Sequence, residues 1–435
     1  MRKRYLYILL GIPVLCLLVV GAYYLPPIHS RLSWRVDQAV LRVKYALNPP
    51  EEVVFVPGEA LKKPVVRTNR LVTGDPSGVA SPAPTLESST STPPPSPTAG
   101  PPPTPLPDQA SLKGVRYEDQ HGRWNYCAPA NLSMALSFWD WEGDRDVVGP
   151  AIKPDPKDKN VMPYEMVDYV LANTELRALS RVGGDLQTIK RFISAGYPVL
   201  IERAAYFRDI EGVVSWMGHY QVVTGFDDAK GVFIAQDSFT KPDEEIPYPE
   251  METHWRGFNN TYILIYPPEK DAEVLALLGS DADGASNNQR AAEKASEEIY
   301  SQTGIDEYYA WFNRGTNLVA MQDFAGAAQA YDNAFGIYAS IPEAERPWRM
   351  LWYQTGPYFA YFYSGRYWDV IGLVETTLNT LQSEPNLEES YYWRGMARAA
   401  LGDSAGALED FRTSLSYHPG FEPAVYQLKL LGLES

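Results

Sequence analysis

Of the two cysteines in the chain, only Cys127 lies outside the first twenty-odd residues, in the stretch WNYCAPANLSMALSFW. Pro129 suits the first turn of a helix, so Cys127 is expected at or just before a helix N-terminus. The N–H groups and the dipole there favour an anion, which predicts a thiolate nucleophile. The alternative is an inert side chain, because free cysteine is among the most buried residue types. The buried face of this helix would consist of Leu132, Ala135, Leu136 and Trp139.

Two further side chains could act with that thiol. His219 opens the strand-like run HYQVVTGF, and VFIAQDSF returns after the turn-rich DDAKG, so the two runs should form an antiparallel hairpin. If residues 227–231 form the loop, Asp237 falls opposite Gln221, on the same face as His219. A carboxylate there can hold the imidazole tautomer while the other ring nitrogen faces the thiol. A four-residue loop would put Asp237 on the other face. The alternative interpretation of His219 is a polar strand-end residue, and that of Asp237 is a turn residue.

The order Cys, His, Asp and the blocks QHGRWNYCAPANLSMAL, GHYQVVTGF and FIAQDS carry a family resemblance. Residues 113–268 resemble the papain-like cysteine peptidases of the bacteriocin double-glycine leader-processing type, specifically the C-39-like domain. The resemblance implies an α+β papain-like fold with Cys127 as nucleophile. It also implies His219 as general base and acid, Asp237 as its orienting partner and Gln120 as oxyanion donor. The implied reaction is acyl transfer on a peptide or protein through a thioester, without metal or organic cofactor.

The position of Gln120 departs from the papain-like pattern, because it lies seven residues before Cys127, where six is usual. The donor then needs a small bulge, or Asn125 or backbone N–H groups replace it. Ala128 also stands where many relatives carry glycine. No nucleotide-binding loop occurs in the sequence, so the chain is not itself an ATP-driven transporter.

Other polar and aromatic residues of this part carry weaker patterns. His121 and His254 lack clustered carboxylates or further histidines, so no metal site is predicted. The segment before His219 lines a substrate cleft or belongs to the core; its members are Tyr206, Phe207, Trp216 and Met217. Helices are predicted near 163–173 and 185–195, and strands near 198–202, 219–226, 231–237 and 261–266.

The first hundred residues have membrane and linker patterns. Residues 5–24 carry no charge and follow the basic tip 1–4, which predicts a transmembrane signal anchor with a cytoplasmic tip. The predicted localisation is the cell membrane, single-pass, with the C-terminal bulk extracytoplasmic. A cleaved signal peptide is the alternative. Residues 25–112 are predicted as a juxtamembrane amphipathic helix at 31–47 and a Pro/Ser/Thr-rich linker.

The last part of the chain is predicted to be an all-α tetratricopeptide (TPR) solenoid over residues 304–435, after a linker at 269–303. Small and aromatic residues occur at the offsets that stacked helix pairs require. A groove for a protein partner is the functional interpretation, and a structural array is the alternative. The pattern is carried by Trp311, Gly315, Leu318, Ala327, Tyr331 and Ala334 in one copy, and by Tyr391, Gly395, Ala407, Phe411 and Pro419 in another.

The charge balance limits the partners. With Lys+Arg 38 against Asp+Glu 54, the net charge of -16 repels phosphate backbones, so nucleic acid is not expected. The sequence therefore predicts a membrane-anchored extracellular cysteine peptidase whose repeat domain binds substrate or a partner. The alternative is a non-catalytic peptidase-fold protein that acts through its repeats.

Overall fold

A computed structural model describes residues 21–25, 54–58, 105–123, 125–155, 161–208, 214–379 and 387–432, with single residues 35, 36, 39, 40, 43, 47 and 158. The strands are β1 (Gln109–Ser111), β2 (Arg177–Arg181), β3 (Val199–Arg208), β4 (Val214–Asp227), β5 (Val232–Gln236), β6 (Glu244–Pro247) and β7 (Tyr262–Tyr266). The first helices are α1 (Cys127–Ser137), α2 (Arg145–Ile152), α3 (Pro163–Asn173), α4 (Leu186–Ser194), α5 (Tyr248–Arg256), α6 (Asp271–Leu278) and α7 (Gly284–Ser301). The later helices are α8 (Ile305–Ala320), α9 (Phe324–Tyr338), α10 (Met350–Tyr353), α11 (Gly356–Tyr363), α12 (Tyr367–Asn379), α13 (Glu388–Ala400), α14 (Ser404–Tyr417) and α15 (Glu422–Leu430).

The strands form one antiparallel sheet in the order β2-β7-β3-β4-β5-β6, with β1 paired to β4. Successive residues of the central strands face opposite sides. Leu200 and Val222 pack with α1, α2 and α3, whereas Val199 and Val223 pack with α4, α5 and α6. The α+β part therefore has two apolar layers, one on each side of the sheet.

Most of the predicted elements of this part are confirmed, but the central strands are longer than predicted. The helices at 163–173 and 185–195 correspond to α3 and α4. Strands β3 and β4 extend beyond the predicted segments because they pair with each other from Val199↔Val223 to Arg208↔Val214.

Helix α1 begins at Cys127, as predicted, but all of its residues from Ala128 to Ser137 are buried. The prediction of a single buried face is therefore wrong. Strands β3 and β4 and helix α2 contact α1, which makes it a central helix. Trp139 lies beyond its end, where Nε1 donates to the carbonyl oxygen of Ile265 at 2.8 Å.

The β4–β5 hairpin differs from the predicted one at its turn. Asp227 pairs with Val232, so the loop has four residues. An extra residue in β4, Thr224, forms a β-bulge that shifts the register by one. Beyond the bulge Val222 pairs with Gln236, and at the next position Gln221 Nε2 donates to Asp237 Oδ2, because the bulge compensates for the shorter loop. Asp237 therefore lies on the same face as His219, which is the face predicted from a five-residue loop.

Residues 269–303, predicted as a linker, contain helices α6 and α7. Helix α7 contacts the loop after β2, where Asn287 exchanges hydrogen bonds of 3.0 and 2.9 Å with the backbone of Val182. Lys294 Nζ donates to the carbonyl oxygen of Gly184 at 2.7 Å. This segment is therefore packed against the α+β part.

Helices α8 to α15 form a helical region in which, apart from the short helix α10, each helix contacts the next. A Cβ atom added to Gly315 would lie 2.8 Å from the ring of Tyr331, and one added to Gly395 would lie 2.8 Å from the ring of Phe411. Glycine at these two positions therefore lets neighbouring helices approach closely.

The α+β part and the helical region share an apolar core. Trp216 of β4 stacks on Phe258 with ring centroids 5.4 Å apart, and Tyr353 meets the same indole ring at 5.9 Å. The indole Nε1 donates to Tyr309 Oη at 2.7 Å. Arg349 donates to the hydroxyl of Ser215 and to the carbonyl oxygen of Trp216. The two parts are therefore joined through buried contacts.

Residues 54–58 also dock on the helical region, within the stretch predicted as juxtamembrane helix and linker. Phe55 is buried, with ring centroids 5.1 Å from Phe335 and 6.1 Å from Tyr361. The Gly58 amide donates to Asp369 Oδ1 at 2.7 Å.

No helix within the described residues is long and apolar enough to cross a membrane. This finding contradicts the predicted N-terminal transmembrane helix at 5–24, the fold description that included it and the predicted single-pass membrane localisation. A span needs about twenty apolar helical residues, and the structure describes only 21–23 of this stretch as helical. Residues 5–20 lie outside the described residues.

Candidate active site

Cys127 is half-buried at the first position of α1. The preceding residue, Tyr126, is the N-cap and accepts no hydrogen bond from the helix with its side chain. The first-turn N–H groups therefore point to the region where an anion would be stabilised. Asn131, one turn further on, donates from Nδ2 to the carbonyl oxygen of Cys127 at 2.9 Å.

The structure brings His219 and Asp237 into direct contact at the buried end of the hairpin. His219 Nε2 lies 2.9 Å from Asp237 Oδ1, and each side chain is only 2% exposed. The Cys127 side chain lies close enough to the His219 ring to raise its pKa. Because Nε2 is bound to the carboxylate, Nδ1 is the nitrogen available to the sulfur. The thiol, the imidazole and the carboxylate therefore lie close together.

Asp237 is held by more donors than His219 alone. The amides of Phe239 and Thr240 donate to Oδ1 at 2.7 and 3.1 Å, and Gln221 Nε2 donates to Oδ2. Burial disfavours the charged form, but the charge of His219 and these hydrogen bonds hold the pKa of Asp237 well below its usual range. Asp237 therefore carries a negative charge at neutral pH.

The charge of the imidazole follows from its partners. Burial lowers the pKa of His219, but the charge and hydrogen bond of Asp237, with the hydrogen bond of Cys127, outweigh burial and raise the pKa to about 9. His219 is therefore an imidazolium at neutral pH.

Aromatic rings cover the His219–Asp237 pair. Phe207 meets the imidazole edge-on at a centroid distance of 5.0 Å, and Phe239 packs on Phe207 at 4.1 Å. They exclude water from the hydrogen bond between imidazole and carboxylate, which strengthens the electrostatic attraction.

Gln120 lies near the site through Ser238, the residue after Asp237. Its backbone amide donates to the Ser238 carbonyl oxygen at 2.9 Å, and its Oε1 accepts from Ser238 Oγ at 2.7 Å. Ser238 Oγ in turn accepts from Asn131 Nδ2 at 2.8 Å. With Oε1 engaged, Nε2 remains as the donor that an oxyanion site requires.

Asn125, the alternative oxyanion donor, occupies a left-handed backbone conformation with φ 44°. Its Nδ2 is buried, and no hydrogen-bond partner for it occurs among the described residues. A buried amide without an acceptor is uncommon, so Asn125 remains a candidate donor beside Gln120.

The other singled-out residues lie in different places. Phe207 contacts His219, whereas Trp216 is in the core with the helical region. Tyr206 packs on His254 at a centroid distance of 5.6 Å, and Met217 is half-buried on β4. His121 Nδ1 lies 2.6 Å from Asp119 Oδ1, so His121 and His254 have separate surroundings.

Sequence reasoning assigned no role to Gln221, Ser238 or Phe239. Gln221 follows His219 by two residues, so the two-residue period of a strand could have indicated that both face Asp237. Ser238 and Phe239 gave no comparable signal, because their partners at the site, Gln120 and Phe207, come from distant segments.

Residues 112–265 match the model of the Peptidase_C39 like family. The match includes Cys127, His219, Asp237 and Gln120, and it supports a papain-like cysteine peptidase fold for this part, here called the C39-like domain. A crystal structure described as a C39-like peptidase from Bacillus anthracis is similar at 14% identity and a TM-score of 0.29, over 36% of this chain and 96% of that one. No curated protein matches the chain.

Proposed function

We propose that the C39-like domain is a thiol peptidase with Cys127 as nucleophile, His219 as general base and acid, and Asp237 as the group that orients the imidazole. The observation that carries the proposal is the buried His219–Asp237 contact of 2.9 Å, with Cys127 close enough to the imidazole to raise its pKa. An imidazolium beside a sulfur favours the nucleophilic thiolate form.

The proposed reaction has two steps. The Cys127 thiolate attacks a peptide carbonyl carbon, the C–S bond forms, and the carbonyl electron pair moves to oxygen. Gln120 or Asn125 and a backbone N–H stabilise that oxyanion. His219 gives its proton to the leaving nitrogen as the C–N bond breaks. Water then attacks the thioester while His219 accepts its proton, and the C–S bond breaks to release the acid and restore the Cys127 thiolate beside the His219 imidazolium.

The helical region supports a second part of the proposal, that α8 to α15 are TPR-type repeats for binding of substrate or a partner. Gly315 and Tyr331 form the same contact as Gly395 and Phe411, eighty residues later. The turns before α9 and α14 also match. Asp323 accepts from the Gly326 amide at 2.9 Å, and Asp403 accepts from the Gly406 amide at 3.0 Å. Recurrence of both contacts at one interval is typical of repeated helix pairs.

The test of the peptidase proposal is alkylation of Cys127 by iodoacetamide in the full chain with Cys16→Ser, which leaves one thiol. We expect rapid labelling near neutral pH in this protein and much slower labelling in the His219→Ala variant. His254→Gln is the matched control, because His254 has no contact with the thiol, and it should label at the parent rate.

Equal labelling of the parent and the His219→Ala variant would contradict the proposal and favour a non-catalytic peptidase-fold protein. If His219 does activate the thiol, cleavage products of a peptide library distinguish hydrolysis from transfer to an amine, and Cys127→Ala should form neither product.

A further inference from the structure

A cavity of about 490 Å³ lies between the C39-like domain and the helical region. The C39-like domain contributes the start of α3, β3 and the loop before β7, and the helical region contributes α11, α13 and the start of α15. The residues that line the cavity include Glu202, Tyr353, Phe359, Glu389, Tyr392 and Trp393. Both parts of the molecule therefore form its walls.

The cavity is next to the proposed nucleophile. Phe258 and Tyr353, which line the cavity, lie 2.7 and 2.8 Å from the Cβ position of Gly218, the residue before His219. Cys127 is close enough to Glu202 and Tyr353 to act electrostatically on both side chains. A substrate residue near the scissile bond can therefore reach this space from Cys127.

The charged groups that line the cavity are acidic. Glu202 and Glu389 are carboxyl groups, and no lysine, arginine or histidine occurs among the described lining residues. The basic side chains nearby have partners elsewhere. His418 Nδ1 lies 2.9 Å from Glu388 Oε1, and Lys153 Nζ donates to the carbonyl oxygen of Asp155 at 3.3 Å. Arg349, whose charge acts on Tyr353, donates to the Ser215 hydroxyl and to the carbonyl oxygen of Trp216. The electrostatic environment thus favours a cation.

Aromatic rings form much of the remaining wall. Tyr353, Phe359, Tyr392 and Trp393 line the cavity, and Phe359 and Trp393 pack together with ring centroids 4.3 Å apart. The faces of such rings attract a guanidinium or ammonium group, and their apolar surface accommodates its methylene stem.

We propose that this cavity is a substrate subsite for a basic side chain, arginine or lysine, located near the scissile bond. The inference rests on the proposed peptidase function and adds to it the class of substrate. A lysine or arginine would place its charge between Glu202 and Glu389, with its stem against the aromatic rings.

The state of the two carboxyl groups agrees with this assignment. Burial, the largest cause for each, raises the pKa of Glu202 and of Glu389 well above the usual range. A bound guanidinium favours the ionised form. Binding of a basic side chain should therefore release protons.

The first test uses acyloxymethyl ketone probes, which react with activated thiols, on the full chain. Two series of probes are used. In the first series the residue next to the reactive carbonyl is arginine, norleucine or glutamate, and in the second series the residue before it is varied in the same way. In one of these two series we expect the arginine probe to inactivate Cys127 about tenfold faster than the norleucine probe, because only the arginine side chain can form a charge-assisted hydrogen bond with Glu202 or Glu389.

Replacing Glu202 or Glu389 tests whether the preference for arginine over norleucine arises in the cavity. Glu389→Gln and Glu202→Gln should each lower the arginine-over-norleucine ratio severalfold. Glu409→Gln is the matched control, because Glu409 is an exposed carboxylate on α14 outside the cavity, and its ratio should stay unchanged. Glu389 is only half-buried, so its variant should fold even if the Glu202 variant does not.

Two outcomes would overturn the inference. Norleucine reacting as fast as arginine in both series would make the cavity an apolar pocket while the peptidase function stands. If no probe labels Cys127, the proposed peptidase function fails, and the subsite is then tested by binding alone. Nα-acetyl-arginine amide should raise the unfolding temperature of the Cys127→Ala variant more than Nα-acetyl-norleucine amide does, and equal shifts would refute the subsite.

Discussion

At the residue scale, the geometry of the site depends on how completely Asp237 is bound. Its carboxylate accepts from the His219 ring, from Gln221 and from two backbone amides, so it cannot rotate without losing several hydrogen bonds. A fixed carboxylate fixes Nε2 of His219 and thereby directs Nδ1 toward Cys127. Gln120, one of the two oxyanion candidates, is positioned in a similar way, because Ser238 Oγ donates a hydrogen bond to its Oε1.

The protonation of His219 makes stability depend on pH. The folded-state pKa of about 9 lies above the ordinary value of 6.5, so the stabilisation is complete below about pH 6.5 and is lost as the pH rises through 9. Between these limits the free energy of unfolding of the parent should fall by on the order of 3 kcal/mol more than that of His219→Gln. Urea unfolding of both proteins from pH 6 to about 10 measures the difference. Parallel pH curves would contradict a raised pKa.

At the element scale, single backbone features decide where the side chains lie. The bulge at Thr224 returns Asp237 to the face of His219 after a four-residue loop. In the helical region, the glycines at Gly315 and Gly395 set the distance between neighbouring helices, because the rings of Tyr331 and Phe411 occupy the space of a Cβ. Local composition alone does not reveal either effect, since both depend on the partner element.

The glycine contacts predict a clear difference between helical glycines. Gly315→Ala should destabilise the protein by about 1–3 kcal/mol, because the added methyl group would overlap the buried Tyr331 ring. Gly336→Ala is the matched control on α9, where no atom lies within 4 Å of the added Cβ. It should be neutral or stabilising by up to about 1 kcal/mol, because alanine favours helix. Chemical denaturation measures both, and equal effects would show that the Gly315 contact does not matter.

At the scale of the whole molecule, the C39-like domain and the helical region do not form separate cores. Trp216 belongs to β4 but packs with Phe258 and Tyr353 and donates to Tyr309. Phe55, from a distant N-terminal segment, is buried against the same helical region. The cavity beside Cys127 has walls from both parts, so their relative position also sets the shape of the proposed subsite.

The shared core predicts cooperative unfolding. Trp216→Ala should lower the free energy of unfolding by about 3–5 kcal/mol and separate one calorimetric transition into two, because it removes the central ring between the two parts. Tyr300→Ala is the control, since Tyr300 is 91% exposed on α7. It should leave the single transition unchanged. A single transition in the Trp216 variant at the parent temperature would contradict the role of this ring.

The sequence by itself determined the local features of this protein. Apolar periodicity and Pro129 indicated a helix that begins at Cys127, and the run from His219 to Asp237 indicated a hairpin, because these signals depend on neighbours a few residues away. The tertiary structure decided the rest. It alone showed that α1 is buried on all sides, that a bulge corrects the hairpin register, and that the helical region closes a cavity beside Cys127. These features arise from contacts between segments far apart in the chain, which no local pattern of residues records.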